Sequence, residues 1–190
     1  MSGHIYAILK WRIHMHLINI FNYARNKLMR LYNQRHFIHL GKNIFFEGDN
    51  GWGGSTKIHC GNNVWFARNT FVGGNNGIIN IGNNVHFAYG VIVMSYSSIS
   101  IGDDVLVGEY TSIRDQEHDF RKGILIREQE LKTAPIVIEK NVWIGRGCII
   151  FKGVTIGTGS VVGANSVVKK DIPSYCITAG TPARVIEYLD

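Results

Sequence analysis

A six-residue repeat runs from Ile136 to Val168 and constrains the fold of this chain more than any other feature. Aliphatic residues occupy every sixth position: Ile138, Ile144, Ile150, Ile156, Val162 and Val168. A helix has a period of 3.6 residues and a strand a period of 2, so neither element alone explains this spacing. Hexapeptide periodicity is typical of a parallel β-helix, in which short strands and tight bends stack so that the same position always points inward. We therefore predict an all-β fold.

Weaker copies of the same pattern precede this run. They are Leu40-Gly-Lys-Asn-Ile, Cys60-Gly-Asn-Asn-Val, Ile81-Gly-Asn-Asn-Val, Ile101-Gly-Asp-Asp-Val, Ile138-Glu-Lys-Asn-Val and Ile156-Gly-Thr-Gly-Ser-Val. Their first residues are separated by 20, 21, 20, 37 and 18 positions. Three hexapeptides make 18, so each copy predicts one turn of a three-sided coil, with Gly and Asn supplying left-handed backbone angles at the corners. We place the coil at residues 40–180, followed by a C-terminal tail at 181–190.

The step of 37 residues is one turn of 18 plus 19 additional residues, and it predicts a protruding loop at 114–135. Polar insertions in a repetitive scaffold commonly carry function. The loop contains His118, flanked by Asp115, Glu117 and Asp119. A neutral histidine acts as a general base, and a nearby carboxylate fixes its tautomer. His118 is therefore the candidate base, while the spacing of its neighbours does not suggest a metal site.

The N-terminal segment, residues 1–39, is basic and predicted to be helical. Residues 1–46 hold seven of the 20 Lys and Arg residues and none of the 14 acidic ones. The apolar residues at helical spacing are Ile13, Leu17, Ile20, Ala24, Leu28 and Leu31. Two interpretations stay open: a helix that caps the open end of the coil, or an amphipathic helix in weak contact with an anionic membrane face through Trp11, Tyr23 and Tyr32. Nucleic acid binding is disfavoured, because no recognised module accompanies the charge.

The number and spacing of cysteines and the hydropathy of the chain indicate the cellular compartment. Cys60, Cys148 and Cys176 are odd in number and lack metal-site spacing, which favours a reducing environment. The sequence has no run of 18 apolar residues, and charged residues interrupt the N-terminus where a signal peptide would be apolar. We predict a cytoplasmic protein, with the inner membrane face as a second location, and no metal.

The region from about Ile81 to Ile186 resembles the hexapeptide-repeat acyltransferases, a left-handed β-helix family that includes galactoside, maltose, chloramphenicol and polysaccharide O-acetyltransferases. The motifs that carry the resemblance are Val142-Trp-Ile-Gly, Gly153-Val-Thr-Ile-Gly, Ser160-Val-Val-Gly-Ala, Ser166-Val-Val-Lys-Lys-Asp-Ile-Pro and Ala179-Gly-Thr-Pro-Ala-Arg-Val-Ile. The resemblance implies an acetyl-CoA-dependent enzyme that works as a homotrimer, with active sites between neighbouring subunits. The family's catalytic histidine lies in the loop before the C-terminal run, where His118 is the candidate, supported by Asp115 and Trp143.

The resemblance also implies residues that bind acetyl-CoA. Trp143 and Gly145 would line a slot for the pantetheine arm, and Gly163 and Ala164 would offer backbone groups with little side-chain obstruction. Lys169, Lys170 and Arg184 would meet the phosphates. Arg146 belongs to the same set, although the family commonly has Ser or Asn there and Thr-Lys in place of Lys169-Lys170.

The acceptor implied by the form of the histidine motif is a carbohydrate: capsule, lipopolysaccharide or a sialic-acid-type glycan. Four basic residues around His118 would suit an acidic sugar, or would form an ordinary solvated loop: Arg114, Arg121, Lys122 and Arg127. The leading prediction is O-acetylation of a surface glycan. The alternatives are N-acetylation of an amino sugar or an antibiotic on the same scaffold, and a β-helix binding module without enzymatic activity.

Overall fold

The computed structural model describes residues 24–190, which form a left-handed parallel β-helix preceded by a short helix. Three parallel sheets make the three sides of the coil. Side A consists of β1 (His39–Leu40), β4 (Lys57–Cys60), β7 (Ile78–Ile81), β10 (Ser98–Ile101), β15 (Ile136–Ile138) and β18 (Thr155–Ile156). Side B consists of β2 (Phe45–Phe46), β5 (Trp65–Phe66), β8 (His86–Phe87), β11 (Leu106–Val107), β16 (Trp143–Ile144), β19 (Val161–Val162), β21 (Cys176–Gly180) and β22 (Ala183–Tyr188). Side C consists of β3 (Gly51–Gly54), β6 (Phe71–Gly74), β9 (Ile92–Ser95), β12 (Ser112–Arg114), β17 (Ile149–Ile150) and β20 (Val167–Val168).

The strand register confirms the turn lengths predicted from the sequence. On side A the first residues of the repeated motif are direct neighbours: Leu40, Cys60, Ile81, Ile101, Ile138 and Ile156. The corner after side A contains Asn or Asp in the left-handed conformation on five turns, with φ between 54° and 59°, at Asn43, Asn63, Asn84, Asp104 and Asn141. These short polar side chains tolerate positive φ better than other non-glycine residues. The expectation for the corners is thereby confirmed.

Inward-pointing side chains fill the coil from end to end. Phe46, Phe66 and Phe87 stack on successive turns with ring centroids 5.4 and 5.2 Å apart and planes within 8°. Further along side B the same position is occupied by smaller aliphatic residues, all buried: Val107, Ile144 and Val162. Each turn therefore buries its apolar residues against the equivalent residues of the turns before and after it. A single turn cannot bury these residues alone, so the repeat is stable only when several turns stack.

The insertion leaves the coil after β12 and is an ordered antiparallel ribbon. Its strands are β13 (Gln116–His118) and β14 (Leu131–Thr133), with a 3₁₀ turn at Ile126–Glu128 between them. The buried side chain of Gln129 holds the tip together, because its amide accepts from the N–H of Arg121 at 2.7 Å and donates to the carbonyls of Arg121 and Ile124. The predicted protruding loop is therefore present, and its internal hydrogen bonds give it a defined shape.

Within the described residues, the N-terminal helix spans 24–33 and is followed by a 3₁₀ turn at Gln34–His36; the predicted stripe positions before residue 24 lie outside the described residues. The helix caps the first turn of the coil with its polar side. Asn26 Oδ1 accepts from the N–H of Phe46 at 3.1 Å, and buried Asn33 Oδ1 accepts from Trp52 Nε1 at 2.8 Å. Leu28 and Leu31 are 67% and 55% exposed. These two leucines therefore do not pack on the first turn of the coil, which instead presents polar donors that need acceptors.

The C-terminal segment, predicted as a tail at 181–190, contains a strand. β22 (Ala183–Tyr188) pairs antiparallel with β21 and covers the last edge of side B. No helix in the described part of the chain is long and apolar enough to cross a membrane.

Candidate active site

A groove of about 470 Å³ lies on the outer face of side B, over β11, β16 and β19. It contains five of the predicted cofactor-binding residues: Trp143, Gly145, Arg146, Gly163 and Ala164. Trp143 is 55% exposed and stands between Leu106 and Val161 of the neighbouring strands. These five residues, selected from the sequence, therefore lie on one concave surface of the structure.

The two glycines of this set are required by the coil itself. A Cβ atom at Gly145 would lie 2.7 Å from the backbone nitrogen of Ala164, and one at Gly163 would lie 2.9 Å from Cβ of Ala179. Contacts this short require the backbone of the next turn to move. Ala164 is exposed at the groove surface. A larger side chain there would project into the groove. A substitution at Ala164, rather than at either glycine, therefore tests whether a ligand binds in the groove.

His118 lies at the end of β13, away from this groove. It is exposed and pairs with Leu131 across the ribbon. Among residues 24–190 no side-chain hydrogen bond to His118 is formed. Its ring nitrogens are therefore open to a substrate, and the ribbon fixes the position of its backbone.

Asp115 anchors the root of the ribbon. Its carboxylate is fully buried and accepts from Ser95 Oγ at 2.7 Å, from the N–H of Tyr96 at 2.7 Å and from the N–H of Ser97 at 2.9 Å. Its backbone carbonyl also accepts from the N–H of Ala134, which closes the ribbon. The carboxylate is thus directed at the β9–β10 corner, and within the described chain it makes no bond to His118. The predicted contact that would fix the tautomer of His118 is not formed.

Two acidic residues of the ribbon pair with neighbouring basic residues. Asp119 contacts Lys132 Nζ at 2.7 Å and Arg121 Nε at 3.1 Å, and Glu117 contacts Lys152 Nζ at 3.2 Å. The hydrogen bond from Lys132 is the main reason that the pKa of Asp119 is lowered. The ribbon therefore carries little net charge along this edge.

A second concave surface of about 420 Å³ lies between the ribbon and side C. Glu117, Phe120, Phe151, Lys152 and Lys169 line it, and Lys169 Nζ lies 4.8 Å from the centroid of the Phe151 ring. Lys170 is exposed beside Lys169, whereas Arg184 lies on β22 at the edge of side B. The three predicted phosphate-binding residues therefore do not form one cluster within a single chain.

Within residues 24–190, the cysteines and the remaining histidines fit neither a nucleophile nor a metal centre. Burial raises the pKa of the Cys148 thiol, whose sulfur lies 3.2 Å from the carbonyl of Gly163. A thiol with a raised pKa is a poor nucleophile. His59, His86 and His118 lie on side A, on side B and on the ribbon, and within residues 24–190 no group of three His, Cys, Asp or Glu side chains is placed to hold a metal.

Comparisons with known proteins agree with this geometry. A family model described as the hexapeptide repeat of succinyl-transferase matches residues 135–170. A structure of a hexapeptide-repeat acetyltransferase from Vibrio cholerae in complex with acetyl coenzyme A is 31% identical, covers 100% of this chain and 91% of its own, and superposes with a TM-score of 0.60. The chain belongs to the hexapeptide-repeat acyltransferases.

Two further proteins similar to this chain differ in the atom that they acylate. Galactoside O-acetyltransferase of Escherichia coli is 36% identical over 68% of this chain, which spans 63% of that enzyme's length. AntD, an N-acyltransferase from Bacillus cereus, was solved as a mutant in complex with an amino sugar nucleotide and coenzyme A; it is 26% identical, covers 85% of this chain and 89% of its own, and has a TM-score of 0.75. Relatives therefore include enzymes that acylate oxygen and enzymes that acylate nitrogen.

Several residues of the site were not identified from the sequence. Phe120 and Phe151 line the surface beside the ribbon, and Met94 and Gln116 contact each other at its root. Their spacing follows no repeat, because they point outward, where the coil places no demand on residue type. Only Gln116 could have been identified from the sequence, because it lies two residues before His118 and an extended strand places alternate residues on one face.

Proposed function

We propose that this protein transfers an acetyl group from acetyl-CoA to a sugar hydroxyl, with His118 as the general base. The observation that carries the proposal is the placement of an exposed histidine on a rigid ribbon whose root is anchored by a buried carboxylate. Anchoring of this kind limits the positions open to the catalytic group, which is how proteins lower the entropic cost of reaction.

His118 would accept the proton of the acceptor hydroxyl as its oxygen attacks the thioester carbonyl, and would return a proton to the departing thiolate. Direct transfer is favoured over a covalent enzyme intermediate, because Cys148 is buried and Cys60 is buried with its pKa raised to about 12. The groove on side B suits the pantetheine arm, since Trp143, Leu106 and Val161 give it an apolar lining. Arg146 stands at the same groove and supplies a positive charge.

The acceptor is proposed to be a hydroxyl of a surface glycan or its precursor, in line with the O-acetyltransferase relative. Transfer to the amino group of a sugar is the second candidate, favoured by the similarity to AntD. Mass spectrometry after incubation with acetyl-CoA and paired sugars would detect either product. Treatment with hydroxylamine then separates them, because it cleaves acetyl esters and leaves acetamides intact.

Replacing His118 with alanine tests the catalytic assignment. We expect transfer to fall roughly 10²- to 10⁴-fold, the usual contribution of a positioned general base. Acetyl-CoA binding and thermal stability should stay unchanged, because the ring is exposed and forms no side-chain hydrogen bond within the described chain. Turnover close to that of the wild type would show that another group takes the proton.

We further propose a homotrimer in which each active site is shared by two chains. The support is geometric: His118 lies on the ribbon that leaves side C, whereas the groove opens on side B of the same coil. The outer face of side B also exposes a row of large side chains on successive turns, in which His86 lies between the apolar Trp65 and Leu106 and is followed by Trp143. A neighbouring copy would cover this row and bring a histidine to the groove.

Mixing two inactive variants tests the shared site. Ala164→Trp should block the groove and abolish acetyl-CoA binding, while His118→Ala leaves the groove open. Co-expressed chains form some interfaces with an intact histidine from one chain and an intact groove from the next, so activity should reappear. Activity that stays at the level of the separate variants, although light scattering shows mixed trimers, would place both groups of a site in one chain.

A further inference from the structure

Arg114 is held at the root of the ribbon with most of its hydrogen-bonding capacity unused. It is half-buried at the end of β12 on side C. Its Nε donates to Ser112 Oγ at 3.0 Å, and its Nη1 lies 3.3 Å from the sulfur of Met94. An arginine has five N–H donors. Within the described chain, the remaining donors of this guanidinium meet no protein acceptor.

The charge of Arg114 also lacks a contact partner. Arg121 and Lys132 contact Asp119, and Lys152 contacts Glu117, whereas no carboxylate among residues 24–190 lies within 4.0 Å of Arg114. Its neighbour Asp115 directs both carboxylate oxygens to the β9–β10 corner. A half-buried cation is costly to keep unless an anion or hydrogen-bond acceptors compensate for the water it loses.

The position of this guanidinium relative to His118 fits one bound sugar. The amide nitrogen of Gln116 lies 3.5 Å from the same Met94 sulfur that Arg114 contacts, so these two side chains converge. Gln116 and His118 are alternate residues of β13 and therefore point to the same face of the ribbon. Four residues of chain span at most about 14 Å. This upper limit on the backbone separation is compatible with one acceptor that meets His118 with a hydroxyl and Arg114 with another substituent.

We propose that Arg114 binds an anionic group of the acceptor, a carboxylate or a phosphate, with its planar guanidinium, and that this contact orients the acceptor hydroxyl toward His118. The proposal deepens the acetyl transfer proposed above and depends on it for the reaction. A carboxylate or phosphate suits this site because two N–H donors of a planar guanidinium can form parallel hydrogen bonds to two oxygens of either group. Gln116 lies between the two groups and is placed to bind a ring hydroxyl.

Matched acceptors test the proposal. Galacturonic acid and galactose differ only in a carboxylate against a hydroxymethyl group at C6, and galactose 1-phosphate carries its anion on C1, the other carbon bonded to the ring oxygen. The wild type should prefer one of the two anionic sugars to galactose. Arg114→Gln should lower kcat/KM for that anionic sugar about 10- to 100-fold, the usual range for a charge-assisted hydrogen bond, and lower it much less for galactose. Which anionic sugar responds distinguishes a carboxylate from a phosphate acceptor.

Two controls separate this role from others. Arg127→Gln removes the same charge from the exposed tip of the loop and should change kcat/KM for the anionic sugar less than about threefold, because physiological salt screens long-range interactions of exposed charges. Arg114→Lys keeps the charge without the planar donors and should recover only part of the loss. An equal loss for galactose and the anionic sugars in Arg114→Gln would show a structural role, and an equal effect of Arg127→Gln would show a general charge effect. Either outcome overturns the proposal.

Titration calorimetry of the same sugars, without turnover, distinguishes failure of this proposal from failure of the proposed reaction. Binding of an anionic sugar that is lost in Arg114→Gln, without any acetylated product, would support the anion site and contradict the reaction. Equal acetylation of galactose and both anionic sugars by the wild type would support the reaction and overturn the anion site. Absence of binding and of transfer for both anionic sugars would also overturn it.

Discussion

Replacing Asp115 removes the acceptor that three hydrogen bonds of the β9–β10 corner share. Oδ2 accepts from Ser95 Oγ and from the N–H of Ser97, and Oδ1 accepts from the N–H of Tyr96. In Asp115→Asn the amide oxygen can keep the first two bonds, but its NH₂ group then faces the N–H of Tyr96, donor against donor. Asp115→Ala leaves the N–H groups of Tyr96 and Ser97 without the acceptor that the buried carboxylate supplied, while Ser95 Oγ keeps only the carbonyl of Ile78, at 3.3 Å.

The magnitudes follow from these contacts. A hydrogen bond to a charged group contributes about 1.5–3 kcal/mol, and such contributions are not additive within one network. We therefore expect Asp115→Asn to lower the free energy of unfolding by about 1–3 kcal/mol and Asp115→Ala by about 3–5 kcal/mol. Because the ribbon starts at this residue, kcat should fall less in Asp115→Asn than in Asp115→Ala. Acetyl-CoA binding in the side B groove should be unchanged in both variants.

The assay is urea unfolding followed by circular dichroism, run beside kinetics on the same samples. Ser95→Ala removes one donor and is the matched partner for a double-mutant cycle with Asp115→Asn, where we expect a coupling energy of roughly 0.5–3 kcal/mol. His118→Ala is the control that lowers kcat without changing the unfolding midpoint. If Asp115→Asn lowers kcat strongly and leaves the midpoint unchanged, Asp115 acts on His118 directly, as expected from the sequence, and the anchoring role is refuted.

Two further predictions concern the coil and the helix. Asn63 has φ of 56° and bonds to Asn43 and Asn84 in a ladder across turns; Asn63→Ala should cost about 1–2 kcal/mol more than Asn63→Gly in urea unfolding, since only glycine accepts this backbone angle freely. Leu28 and Leu31 are exposed on the basic helix, so the protein should co-sediment weakly with anionic vesicles at low salt and less so after both are changed to serine. Absence of co-sedimentation at low salt would contradict membrane contact.

The repeat made the coil predictable because inward positions are chosen by packing alone. The spacing of Leu40, Cys60 and Ile81 gave the register of side A correctly, including the enlarged corners. The apolar spacing of the helix did not decide between the two interpretations, and Leu28 and Leu31 are exposed in the structure. A hydrophobic stripe predicts which face is buried only when the partner surface is apolar, and here the partner is an open edge whose donors select Asn26 and Asn33.

The candidate site was harder to predict, since proximity in sequence does not determine which charges pair. Arg114, Arg121 and Arg127 are equivalent in the sequence, as basic residues near His118. In the structure, Asp119 neutralises Arg121, and Arg127 lies on the exposed tip next to Glu128, whereas Arg114 is fixed between Ser112 and Met94. A carboxylate two residues from an arginine can pair with it only if the backbone turns the two side chains together, and that turn is a property of the folded ribbon.

Whether a residue type is required by packing within the coil determines whether that residue carries information about function. Gly145 and Gly163 lie in the candidate groove, yet the next turn of the coil leaves no space for a side chain at either position. Their identity would therefore be the same in a β-helix that binds nothing. Ala164, Arg114 and His118 point away from the core, so the packing that fixes the inward positions does not dictate their residue type. Substrate specificity in this scaffold must therefore be encoded in the outward positions and in the ribbon.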